Sequence, residues 1–125
     1  MNQTNIANYE KWNLGGKHKW FTKAIAKTLP GIGETSELPA EQVRVAVKLF
    51  NPTGAGSWFI TEANLETGEA FGFADLGMAG CEELGYLDLN ELRSFRGLMR
   101  LPIERDEGFK ATLAAVMAKY ERSGI

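Results

Sequence analysis

The residues of this 125-residue sequence best suited to chemistry are carboxylates and one arginine. Glu62, Asp75 and Asp106 are the right type for a magnesium ion, a hard cation that takes oxygen ligands. Glu62, Asp75, Glu104, Arg105 and Asp106 converging in one pocket would act on a nucleotide or nucleic acid. Nothing in their spacing demands either arrangement, and no catalytic residue is assigned. His18 is the only histidine and Cys81 the only cysteine, so no ligand pair exists to begin a zinc site and no internal disulfide can form. No metal and no cofactor is expected. Cys81, followed by Glu82 and Glu83, is read as a small residue in a turn, since neighbouring acids disfavour a thiolate. The glycines of Gly54-Ala-Gly56 lack the third glycine and following helix of a phosphate-cradling loop.

Charge is more informative by position than by its net of −2. From Glu62 to Glu91 there are eight acids, Glu62, Glu66, Glu69, Asp75, Glu82, Glu83, Asp88 and Glu91, and no lysine or arginine. Such a block serves solubility or meets a basic protein partner. Glu62, Glu66, Glu69, Asp75, Glu82 and Glu83 are taken as the partner-binding surface. The opposite sign gathers at the start of the chain, where Lys11, Lys17 and Lys19 stand with Trp12, an alternative contact arm suited to nucleic acid or an acidic partner. The sharpest polar cluster, Glu104-Arg105-Asp106, is read as a loop anchor, because a guanidinium ties backbone and carboxylates together. The alternative is a polar site.

These residues must be positioned by local structure. Residues 1–19 lack periodicity and contain Gly15-Gly16, which predicts a flexible basic and aromatic arm ahead of a single domain over 20–125. Apolar spacing from Trp20 to Leu29 predicts a helix ended by Pro30-Gly31. Val43, Val45, Val47 and Leu49 alternate with Arg44, Ala46 and Lys48, a half-buried strand over 43–50. Turns at 51–56 and 64–68 separate it from strands at 57–62 and 70–75, and a short strand is expected near 84–87. Asp88 and Glu91 have capping-box spacing for a helix over 89–95, and a terminal helix is expected over 109–120. The fold class is therefore α+β: an antiparallel meander of three to four strands packed by helices from the N-terminal, middle and C-terminal parts. No apolar run is long enough to span a bilayer, and the N-terminus lacks the pattern of a secretory signal, so a cytoplasmic protein is expected.

The segments Val45-Ala-Val-Lys-Leu-Phe-Asn-Pro52, Trp58-Phe-Ile-Thr-Glu62, Phe71-Gly-Phe-Ala-Asp-Leu-Gly77, Glu83 to Leu92 and Leu101-Pro-Ile-Glu-Arg-Asp106 occur in one order and close spacing. In these the chain resembles a small domain of unknown function encoded on plasmids, integrative elements and phages. The resemblance is clearest over 45–109 and brings no catalytic residues. It implies a setting in which small proteins block host defence by occupying a surface of a nuclease or effector complex, in the manner of anti-CRISPR or anti-restriction inhibitors. Such complexes carry basic channels for nucleic acid, to which an acidic block is suited.

Overall fold

The computed structural model describes residues 3–13, 19–78 and 82–123; the expectations for Lys17, His18 and Cys81 lie outside these. The chain opens with helix α1 (Gln3–Asn8), which tightens into a 3-10 turn, Tyr9–Trp12. Helix α2 (Lys23–Thr28) follows, started by the Thr22 hydroxyl, which accepts from the Ile25 N–H at 3.1 Å. The sheet comprises β1 (Val47–Phe50), β2 (Ser57–Asn64), β3 (Glu69–Asp75) and β4 (Glu83–Asp88). Helix α3 (Leu89–Ser94), the two-residue β5 (Glu104–Arg105) and helix α4 (Leu113–Ser123) complete the order.

All pairings are antiparallel, in the order β4-β3-β2-β1-β5. The meander arises because the intervening turns are too short for parallel crossovers. The fold is thus the expected α+β arrangement, with β5 as an additional strand supplied by the Glu104-Arg105 cluster.

Helices cover both faces of the sheet, because both faces are apolar. One face carries Val47, Leu49, Ile60, Ala63 and Ala70 against Trp12, Trp20, Phe21, Leu29, Leu89 and Ile103. The other carries Phe59 and Phe73 against Leu113 and Val116, with Phe59 packed 5.6 Å from Phe109 and 6.1 Å from Tyr120.

Three local expectations are corrected. The alternation Val43, Val45, Val47, Leu49 does not describe one strand face: Val43 and Val45 join the α4 side while Val47 and Leu49 join the other. The register of β2 against β3 shifts between Ile60 and Glu62. The reversal at 45–47 lies in the segment itself: Ala46 N–H donates to Ile60 C=O at 2.8 Å although Ile60 is registered opposite Val47, so two residues face one of β2, and Val45 N–H bonds Ala111 C=O at 2.9 Å. An extra residue in one strand reverses which face the following side chains take. Residues 109–112 lie outside the last helix: Arg44 is bridged to Thr112, and the helix begins at Leu113 behind a Thr112 hydroxyl that accepts from Ala115 N–H.

The third correction concerns the N-terminal segment. Residues 3–13 are part of the packed domain: the Asn5 amide donates to Leu29 C=O and Ala63 C=O and accepts from Leu65 N–H, and the buried Trp12 indole donates to Leu65 C=O at 2.7 Å. An arm cannot remain loose once it satisfies buried backbone groups of the β2–β3 turn.

Candidate functional site

The expected acidic surface divides when placed on the fold. Glu62 leaves it altogether. It is 4% exposed, and its carboxylate accepts from Gly33 N–H at 2.7 Å, Thr35 N–H at 2.9 Å and the Thr35 hydroxyl. Those bonds hold the 31–37 turns against β2, so Glu62 is a scaffold residue. The bulge next to it explains its inward direction.

The remaining acids occupy the two ends of the β3–β4 hairpin. Glu66 and Glu69 lie at one end with Asp88 and Glu91, where Glu69 stands directly opposite Asp88 in the strand register. Like charges facing each other across a ladder destabilise it, so this pair costs the fold something. Asp75, Glu82 and Glu83 lie at the other end, with Glu83 opposite Ala74. Between the two groups, β4 presents Leu84 and Tyr86, which are 44% and 67% exposed. Tyr86 packs edge-on against Phe71, ring centroids 5.1 Å apart. Beside them lies a groove of about 320 Å³ lined by Leu38, Thr61, Phe71, Leu84, Tyr86 and Met117. Leu84 and Tyr86 were absent from the sequence-derived surface, since alternation does not reveal that they stay exposed on an edge strand.

At the Glu82–Glu83 end, Asp75 is tied to the fold. It accepts from Gly77 N–H at 2.9 Å and from the Tyr120 hydroxyl. Burial, then the bond to Asp75 and the charges of Asp75 and Glu82, push the Tyr120 hydroxyl from 10.0 up to about 12. The folded protein therefore favours the neutral phenol. The stability this gives is fully present below pH 10.0 and is lost as pH rises towards about 12. The unfolding free energy of the native protein should fall more steeply over that interval than that of Tyr120→Phe. Parallel pH profiles for the two proteins would refute the linkage.

Among the described residues, the alternative arm does not form a stacking platform. Trp12 is buried, Lys11 donates to Glu66 C=O at 2.7 Å, and the Arg93 guanidinium lies 4.4 Å from the Trp12 ring centroid. Lys19 is exposed, and its carbonyl accepts from Arg105 Nε at 2.9 Å.

Glu104 and Arg105 form β5 on the edge of β1, and Asp106 follows them. Arg105 pairs with Leu49 in the β1–β5 ladder and lies 3.5 Å from the Glu107 carboxylate. Asp106 sits 3.3 Å from Lys48 Nζ, and its N–H donates to Lys48 C=O. Lys48 in turn lies over the Phe59 and Phe109 rings at 5.5 and 5.2 Å. The five residues of the enzymatic reading are not brought together: Asp75 and Asp106 share a polar depression with Lys48, Asn51 and Ser57, but Glu62 is sealed elsewhere. Among the described residues no group of three or more His, Cys, Asp or Glu side chains could hold a metal ion. No helix among them is long and apolar enough to cross a membrane.

Two further features escaped the sequence reading. A cleft of about 700 Å³ between α2, residues 42–48 and residues 105–111 is lined by Arg44, Lys48, Arg105 and Lys110 among apolar groups. Residues 95–101 form an exposed knuckle in which Met99 and Arg100 adopt left-handed φ of 57° and 61°. Leu98 N–H donates to the Thr53 hydroxyl, which fixes the knuckle on the β1–β2 turn.

No curated protein and no solved structure matches the chain. Residues 22–123 match the profile of a family described as protein of unknown function, DUF2958, a span that includes the whole sheet and every acid of the candidate surface but not the N-terminal segment carrying Trp12. The match extends over most of the chain, which therefore belongs to the DUF2958 family of proteins of unknown function.

Proposed function

We propose that this protein acts by binding another protein through the acidic and apolar surface centred on β4. The observation that carries the reading is the coincidence on one strand of exposed Leu84 and Tyr86 with acids at both ends, within a stretch from Glu62 to Glu91 that has no positive charge. Apolar side chains at the centre of a patch supply affinity, while a charged rim sets association rate and partner choice. The partner is a basic protein. The likeness to domains of plasmids, integrative elements and phages favours a nuclease or effector complex of a host defence system, with this protein as its inhibitor in a cytoplasmic setting.

The enzymatic reading keeps one supporting observation, the cationic cleft beside Arg105 and Asp106. It is the weaker of the two, because Glu62 is committed to backbone amides and Asp106 to Lys48. Nucleic-acid binding by the arm is weaker still, with Trp12 enclosed in the core.

The test uses the partner captured from cells carrying defence systems. Reversing Glu66, Glu69 and Glu82 to lysine should slow association and flatten its dependence on ionic strength, with the melting temperature nearly unchanged. Equal association rates for the reversed and original proteins at low salt would remove the acidic surface from consideration.

A further inference from the structure

The geometry points to strand addition at the free edge of β4 as the way this surface takes its partner: an extended segment that alternates apolar with basic residues, hydrogen-bonded to the β4 backbone. The inference rests on the reading of β4 as the contact surface and adds the form of the ligand. β4 ends the sheet. In the register that pairs Glu69 with Asp88, Leu89 N–H donates to Gly68 C=O at 2.8 Å, which makes Gly68 and Leu89 a hydrogen-bonded pair. Antiparallel ladders alternate, so Leu87, Gly85 and Glu83 also bond to β3, while Leu84 and Tyr86 direct their N–H and C=O away from the sheet. Asp88 shares this outward set as the last residue of the strand, and the other two members, Leu84 and Tyr86, are the ones whose apolar side chains are exposed.

Natural edge strands are protected by short length, lysine, proline or a bulge. The opposite edge has such protection: β5 is only two residues long and carries Arg105. β4 has six residues, Glu-Leu-Gly-Tyr-Leu-Asp, in unbroken register with β3 from Glu83 to Asp88. Its only guards are acids, and these select the occupant. A second copy of β4 pairing antiparallel would bring the Glu82-Glu83 end against Asp88, and like charges in that position repel. A strand with lysine or arginine towards its ends would pair with those carboxylates. Its apolar side chains on the α4 side would extend the row of Leu84 and Tyr86, which line one groove with Met117.

The probe is a capped synthetic peptide of alternating lysine and valine, about eight residues long so that it spans β4, in three forms: unmodified, N-methylated on every lysine, and N-methylated on every valine. Only one alternate set of peptide N–H groups faces β4 in an added strand. The unmodified peptide should bind at low salt and slow hydrogen exchange of the Leu84 and Tyr86 amides by about tenfold or more. One N-methylated form should lose affinity by about tenfold and the other should keep it. Equal binding of all three forms, with Leu84 and Tyr86 exchange unchanged, would overturn strand addition. If Glu66, Glu69 and Glu82 reversed to lysine then still abolished that binding, the acidic-surface reading would survive without it. Absence of binding by all three forms would overturn both.

Discussion

Trp12→Ala is expected to cost about 3–5 kcal/mol of stability, the range for deleting a buried large aromatic side chain. For a chain of this size that lowers the melting temperature by on the order of 10–20 °C. Three contributions are lost together. The ring is fully enclosed in the core, its N–H satisfies Leu65 C=O, and its face receives the Arg93 guanidinium at 4.4 Å. Leaving the Leu65 carbonyl buried without its donor adds about 1–3 kcal/mol of desolvation to the cavity term. Trp12→Phe keeps most of the volume and loses only the donor, so its cost should lie near the lower of those figures. Chemical denaturation midpoints for the three proteins check the order. A midpoint for Trp12→Ala equal to that of the native protein would mean that residues 3–13 do not belong to the folded unit.

The second large effect is expected at Gly72. A Cβ there would overlap the Phe59 carbonyl oxygen, and it would lie 2.9 Å from the Phe59 carbonyl carbon and 3.0 Å from Ile60 Cα. These atoms are strand backbone and cannot turn aside as a flexible side chain can. Relief requires β2 to move at the point where its register already shifts. Gly72→Ala should therefore cost about 3 kcal/mol or more, at the upper end of overpacking penalties. Gly85 is the internal control. It pairs with Gly72 across β3–β4, yet nothing lies within 4 Å of a Cβ built on it. Gly85→Ala should change stability by only a few tenths of a kcal/mol, near the value of the ordinary glycine-to-alanine entropy difference. Equal melting temperatures for the Gly72→Ala and native proteins would show that β2 is not held this closely against β3.

The candidate site was legible in part. Glu66, Glu69, Glu82 and Glu83 read from composition as one acidic block, and the fold sets them at the two ends of the β3–β4 hairpin. Glu62 could not be separated from them, since its inward direction follows from the β2 bulge and from donors on Gly33 and Thr35, nearly thirty positions away in sequence. Lys11 and Trp12 read as a basic aromatic arm because a linear scan sees lysines beside indoles. It does not see that Leu65 C=O and Arg93 wait on the far side of the chain. Leu84 and Tyr86 showed strand character, but nothing local says whether a strand is central or at an edge, nor how far a helix more than twenty residues later will cover it.

What the sequence determined by itself is whatever short-range physics decides. Turn residues at 51–56 and 64–68 impose antiparallel hairpins, Asp88 caps α3 by accepting from Asn90 N–H, and the absence of lysine and arginine from 62 to 91 is a fact of composition that no folding can alter. The tertiary structure decided the rest. It split Val43 and Val45 from Val47 and Leu49, drew Trp12 and Glu62 inside, turned Glu104-Arg105 into a fifth strand, and set β4 at an edge of the sheet. Each of these depends on partners distant in sequence, and one extra residue in a strand is enough to reverse the side on which the residues after it are buried.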